Sequence, residues 1–410
     1  MKLLLLALLM SFGAVSLLFS QQRDTISVTE LSDSILLSEK RDIIPQVDLV
    51  DYLVRVFKIK DSEERRNERK VRFSLFPSRS SAAGDKTVFT SFNIAFLLGD
   101  ISDTKVSNIY FYPYIGFGGQ YGFQIQPNLW LSGNSWNFIG EYFILNYPQN
   151  TWGLGGNSKE ENLTLIDYDH TRIHQNAMKE ILPNLSVGVG YAYDKHYNIA
   201  VEESDYSDVV NGYMPEDKDY TISSGITFPV MYDLRKNQLN PQKGFMASFT
   251  YSFYYPFLGS DDKWQSVFVD TRKYFQIPGG KYKILALRSY FWTILSGNPP
   301  YLDLPANRWE PVPGSASRGI RQNRFRSNAL LYFESEYRFG ITANGLIGGV
   351  IFASVTAPSE YDTRQFIYWH PAGGTGIRLK FNKYSNTNVT LDFGFSKEFA
   401  SVYLNIGEAF

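Results

Sequence analysis

PVPGSASRGIRQNRFRSNALLYFESEYRF, running from Pro311 to Phe339, changes character halfway along. The first half is a loop opened by Pro311, Pro313 and Gly314, and it carries Arg318, Arg321, Arg324 and Arg326. The second half alternates. Ala329, Leu331, Phe333, Tyr337 and Phe339 fall on one side, with Ser335 the single interruption. Asn328, Leu330, Tyr332, Glu334, Glu336 and Arg338 fall on the other. A period of two means a strand with one apolar and one charged face. In a water-soluble sandwich the apolar face is core. In an outer-membrane barrel it meets lipid, and the charged face lines a wet lumen.

Composition favours the barrel. Tyrosine (28) and phenylalanine (31) are abundant, yet the mean hydropathy is −0.23, as suits alternating strands with aromatic girdles. There are no cysteines, hence no disulfide framework and no thiol chemistry. A net charge of −1 gives no electrostatic basis for binding nucleic acid. The apolar run from Leu3 to Phe19 behind Lys2 predicts a signal peptide over 1–20, cut near Ser20–Gln21. It is short of the roughly 20 residues that a spanning helix needs.

Residues 21–70 read as a periplasmic lead-in. Within it, 47–60 predicts one amphipathic helix, with Leu49, Leu53 and Phe57 on one face and Asp48, Asp51, Arg55 and Lys58 opposite. That helix either docks on a partner or the membrane surface, or packs under a barrel rim. Sixteen strand-like segments follow over 71–410, at 71–76, 87–98, 106–116, 120–130, 135–146, 161–178, 180–197, 220–232, 244–256, 264–275, 282–295, 327–339, 344–355, 372–382, 387–396 and 400–409. Their connections form one short set and one long set. Short turns on one side and long loops on the other is the outer-membrane pattern, and it puts the arginine loop outside the cell. The expected fold is therefore all-β: a sixteen-stranded antiparallel transmembrane barrel with a short N-terminal periplasmic helix, set in outer-membrane lipid.

The motifs carry the reading further. Gly314-x-x-x-Arg318-Gly319, a basic run, and then Glu334-Ser335-Glu336-Tyr337-Arg338-Phe339 resembles the BamA/TamA family of bacterial outer-membrane barrels, the bacterial surface antigen superfamily. Asp233-Leu234-Arg235 with Pro241-x-x-Gly244 is similar to a periplasmic turn of that family. Leu404, Ile406 and Phe410 on one parity resemble its C-terminal strand signal. The resemblance implies that Arg318 and Gly319 dock inside the lumen against Glu334, Glu336, Arg338 and Phe352. One position departs. Where the family places Phe-x-Asp, this chain has Phe352-Ala353-Ser354, so Arg318 is expected to lean more on Glu334 or Glu336 or to be held less tightly, and Ser354→Asp to strengthen the site. Residues 21–70 lack the alternating strands of a POTRA domain.

Other chemistry is sparse. His170 and His174 share one face of a strand about 13 Å apart, which predicts no metal site. No Gly-x-Ser-x-Gly elbow occurs, and Gly116–Gly119 and Gly153–Gly156 precede no helix and so are turns rather than phosphate loops. Asn162, Asn184 and Asn388 begin Asn-x-Ser/Thr matches and are read as strand residues. Arg378, Lys380, Asp392, Asp270 and Arg272 join the charged wall, with all four loop arginines as partners. No cofactor and no enzymatic activity are expected. The resemblance implies assembly, insertion or translocation of proteins at the outer membrane, with partner subunits in the outer membrane or periplasm. A plugged scaffold barrel of a surface complex and a passive or lipid-conducting channel are the alternatives.

Overall fold

The computed structural model describes residues 46–49, 71–77, 87–100, 103–116, 121–146, 148–204, 207–212, 218–238, 240–279, 282–307, 317–383 and 386–410. The signal peptide expected over 1–20 and nearly all of the helix expected over 47–60 lie outside the described residues.

The strands are β1 (Val71–Pro77), β2 (Thr87–Phe96), β3 (Ser107–Gly116), β4 (Tyr121–Trp130), β5 (Asn137–Asn146), β6 (Gln149–Thr151), β7 (Thr164–Leu182), β8 (Leu185–Val201) and β9 (Thr221–Asp233). They continue as β10 (Gly244–Tyr254), β11 (Trp264–Gln276), β12 (Ile284–Gly297), β13 (Ala329–Gly340), β14 (Ile347–Pro358), β15 (His370–Asn382), β16 (Thr387–Ser396) and β17 (Ala400–Ile406). β6 is a three-residue strip against the start of β7. The other sixteen form the wall, each antiparallel to the next along the chain. This is a sixteen-stranded antiparallel outer-membrane barrel. No described helix is long and apolar enough to cross a membrane; the crossing is made by strands.

Burial along the strands is inverted relative to a soluble protein. On β13, Glu334, Glu336 and Arg338 are buried, while Phe333, on the opposite parity, is exposed. On β16 Asp392 is buried between the exposed Leu391 and Phe393. Apolar side chains outward and charges inward is stable only where the outside is lipid. A basic residue facing lipid at mid-height costs about 2–4 kcal/mol, whereas inside the barrel it finds a partner.

Several boundaries differ from the sequence expectation. The hairpin expected near 178–180 turns at Pro183-Asn184 instead, between β7 and β8. Asn184 adopts φ +66°, a left-handed conformation that Asn tolerates in turns. Asn162 is likewise no strand residue but part of a 3-10 turn, Glu160–Asn162. At the other end, β17 stops at Ile406, and Gly407 at φ +86° redirects the chain. The strand expected to continue to 409 therefore does not carry Phe410.

The long loops knit together and pack against the inner face of the wall. Arg324 bonds Ser158 Oγ at 2.7 Å and Glu398 at 3.2 Å, joining the segment before β7 to the turn between β16 and β17. Trp152, Tyr301, Leu302, Leu304 and Phe325 are buried in this cap.

Candidate functional site

The site begins with a loop tip that cannot satisfy itself. Arg318 has five N–H donors and no acceptor, and its loop neighbours Ser317, Gly319 and Ile320 offer no carboxylate. The wall supplies three. Arg318 Nε donates to Glu334 Oε1 at 3.2 Å, Nη2 donates to both Glu334 and Glu336, and Nη1 donates to Asp392 Oδ2 at 2.5 Å. The guanidinium carbon lies 3.7 Å from the centroid of the Phe352 ring, so its flat face is covered as well. The Arg318 side chain has no exposed surface. A planar fork serves such an arrangement; a single ammonium does not.

The carboxylates are shared onward. Tyr332 donates to Glu334 Oε2 at 2.7 Å. Arg338 Nε donates to Glu336 Oε2 at 2.8 Å, and Arg378 donates to Asp392 and, at 2.7 Å, to Glu408 Oε2. Arg318, Arg338 and Arg378 thus interleave with Glu334, Glu336, Asp392 and Glu408. Charges taken out of water are stable only when paired and hydrogen-bonded in this way. Glu408 lies beyond the end of β17. Burial pushes its carboxyl up, and Arg378 and Arg338 outweigh this and hold it below the ordinary range.

Asp392 is the residue that sequence reasoning failed to connect. The expectation placed Asp392 on the charged wall among the general partners of the loop arginines, but for Arg318 it singled out Glu334 or Glu336, because Ser354 stands where the family has aspartate. Ser354 lies directly across from Glu334, buried, with its Oγ unpartnered. The third carboxylate comes instead from β16, two strands further round. The signal was present: Asp392 is the lone acidic residue in the alternating stretch 387–396. Its distance from Arg318 was not readable, since it depends on how far the loop reaches across the lumen.

The remaining loop arginines do not join the wall, contrary to expectation. Arg321 bonds Glu160 at 2.6 Å, Arg324 bonds Ser158 and Glu398, and Arg326 donates to the Tyr301 carbonyl at 2.7 Å. Nearby acceptors in the cap satisfy them first.

At the β9–β10 turn, Asp233 and Arg235 form a two-point pair, with Nε–Oδ1 and Nη2–Oδ2 both at 2.9 Å. Gly244 at φ +120° sits where a Cβ would meet the Leu234 carbonyl oxygen at 2.8 Å, so the turn requires glycine. The Pro241 carbonyl lies 3.4 Å from Arg338 Nη1, bringing this turn under the charged wall. Leu404 and Ile406 lie on β17. Phe410 does not. It is buried inside against Tyr274, with ring centroids 6.2 Å apart, and its carbonyl accepts from Arg338 Nη2 at 2.9 Å.

A second charged cluster occupies the wall formed by β5, β7 and β8. Arg172 donates to Asp194 at 2.6 Å and to Glu141 at 3.2 Å, while His170 and His174 approach the two Asp194 oxygens at 2.9 and 2.6 Å. Among the described residues no group of three or more His, Cys, Asp or Glu is placed to hold a metal ion.

The Omp85 superfamily domain matches residues 65–298, more than half of the chain. The chain therefore belongs to the Omp85 superfamily, whose barrels mediate protein insertion or secretion at the outer membrane. The matched stretch ends before the Arg318 loop. Among solved structures the chain is similar to BamA from Haemophilus ducreyi lacking POTRA domains 1-3, at 12% identity and TM-score 0.54, covering 82% of this chain and 70% of that one. It is also similar to CdiB from Acinetobacter baumannii (11% identity, TM-score 0.53, 82% and 60% covered). CdiB from Escherichia coli matches at 10% identity and TM-score 0.54, with 84% and 63% covered. These identities establish a shared fold alone, and the chain spans less than two thirds of either CdiB. No curated protein sequence matches it.

Proposed function

We propose that this barrel assists the insertion or translocation of other proteins at the outer membrane, working with partner subunits and without covalent chemistry of its own. The observation that carries the reading is the length of the end strands. β1 and β17 have seven residues each, whereas the wall strands between them have at least ten. A seam between two such strands can hold no more than seven paired positions, as in the β1–β2 and β16–β17 joins, fewer than the joins between the longer strands, so the ends of the wall yield first. The lumen is meanwhile occupied by the Arg318 tip and by Phe410, which meets Arg338 and Tyr274. A passive channel is correspondingly disfavoured. The route for a client strand is lateral, through the seam.

The test is reconstitution. Liposomes carrying the protein are expected to fold a urea-denatured outer-membrane barrel faster than empty liposomes do, with no steady single-channel conductance. Equal folding rates, with no protein co-purifying from native membranes, would remove the assembly reading. Equal rates with a stoichiometric surface complex would favour the scaffold.

A further inference from the structure

We propose that Gly394 of β16 and Tyr403 of β17 are positioning residues that seat the Arg318–Gly319 tip, so that the loop is coupled to the last two strands of the wall. The proposal deepens the assembly reading and depends on it only for its consequence, not for its geometry.

Gly394 faces the lumen, on the same parity as Asp392. A Cβ there would lie 2.8 Å from Gly319 N, 3.1 Å from Arg318 C and 3.2 Å from Gly319 Cα. All three are backbone atoms, which cannot swing aside. The relation is reciprocal. A Cβ on Gly319 would lie 2.7 Å from Phe395 N and 2.9 Å from Phe395 C and O, and Gly319 holds φ +87°. Loop backbone rests directly on strand backbone, and neither partner tolerates a side chain.

Tyr403 fastens the same point. Its hydroxyl accepts from Gly319 N at 2.9 Å, and Tyr403 is the cross-strand partner of Asp392, which binds Arg318. One cross-strand pair on β16 and β17 therefore holds both the side chain and the backbone of the tip. Behind it, Gly376 and Gly374 of β15 leave room. Side chains at those positions would overlap the Asp392 carboxylate and the Phe352 ring that contact Arg318. Three wall glycines thus make the bed on which the tip lies. Moving β17 outward removes the tip's hydrogen-bond partner, and lifting the tip takes the Gly319 donor from Tyr403.

Ser317 Oγ lies 3.2 Å from Thr356 Oγ1, and the chain has no native cysteine, so a Ser317→Cys, Thr356→Cys pair reports docking directly. In the full-length folded barrel this pair is expected to oxidise readily, read as loss of maleimide-reactive thiol. Gly394→Ala should slow the oxidation about tenfold or more, because the tip cannot lie flat. Tyr403→Phe should slow it roughly threefold to tenfold, the range of one lost hydrogen bond. Val402→Ala, on the lipid face, should leave the rate unchanged. Oxidation at the parent rate in both Gly394→Ala and Tyr403→Phe overturns the proposal. Should Gly394→Ala fail to give a folded, heat-modifiable band, Tyr403→Phe decides alone. The assay contains no client, so its outcome stands apart from the folding assay above.

Discussion

The two charged walls of the lumen solve one problem differently. On β5, β7 and β8 every charge finds its partner within the wall: Arg172 lies between Asp194 and Glu141, and the imidazoles of His170 and His174 stand ready beside Asp194. On β13–β16 the carboxylates of Glu334, Glu336 and Asp392 draw on a charge from outside the wall, and Arg318 from a loop meets all three. The first wall is complete by itself. The second is complete only while the loop is docked, so it can register whether the tip is in place.

The largest expected effect comes from breaking the second wall. Arg318→Ala leaves Glu334, Glu336 and Asp392 buried with only Arg338 and Arg378 to share. Removing one partner of a wholly buried cluster costs about 3–5 kcal/mol, read as a fall in the urea or thermal midpoint of the heat-modifiable band. Arg318→Lys should recover only a small part. An Arg318→Ala barrel as stable as the parent would mean that the tip contributes nothing to the wall.

Arg172→Ala should cost less, about 1.5–3 kcal/mol at pH 8, because Asp194 keeps two histidines. An Arg172→Ala loss as large as that of Arg318→Ala would erase the distinction between the walls.

Ser354→Asp sharpens the comparison, with the sign reversed from the sequence expectation. The family pattern suggested a gain. With Asp392 already on Arg318 and Glu334 directly opposite, a further buried carboxylate faces like charge, and a loss of about 1–2 kcal/mol is expected. In a double-mutant cycle Arg318→Ala should deepen that loss by more than about 0.5 kcal/mol. Strict additivity would place Ser354 away from the tip.

The smallest effect is at the rim. Glu408→Gln should cost about 1 kcal/mol at pH 7, since Arg378 and Arg338 keep Asp392 and Glu336. The folded carboxyl of Glu408 is held below its ordinary value, so its contribution is present above the unfolded value, about 4.3, and is lost as pH falls through the lowered one. Parent and variant should converge in stability in acid; a gap that widens below pH 4 would contradict the pairing.

The strands were legible because their signal is local. Alternation assigns each residue to a face, and it put Glu334, Glu336, Arg338, Arg378 and Asp392 on one surface without knowledge of any neighbour. Local punctuation also mattered where it was overlooked: Pro183-Asn184 marks the β7–β8 turn, and Gly407 ends β17. The inward turn of Phe410 and Glu408 was hidden because continued alternation past Gly407 gives the same pattern whether or not the strand persists. The sequence by itself thus determined the wall, its two faces and which loop is basic. Only the tertiary structure decided which arginine reaches the lumen, that Asp392 rather than position 354 supplies the third carboxylate, and that Gly394 and Tyr403 hold the tip. Parity is fixed by backbone geometry within a few residues, whereas these contacts join positions 74 to 84 residues apart, and that span is set by barrel curvature and loop descent.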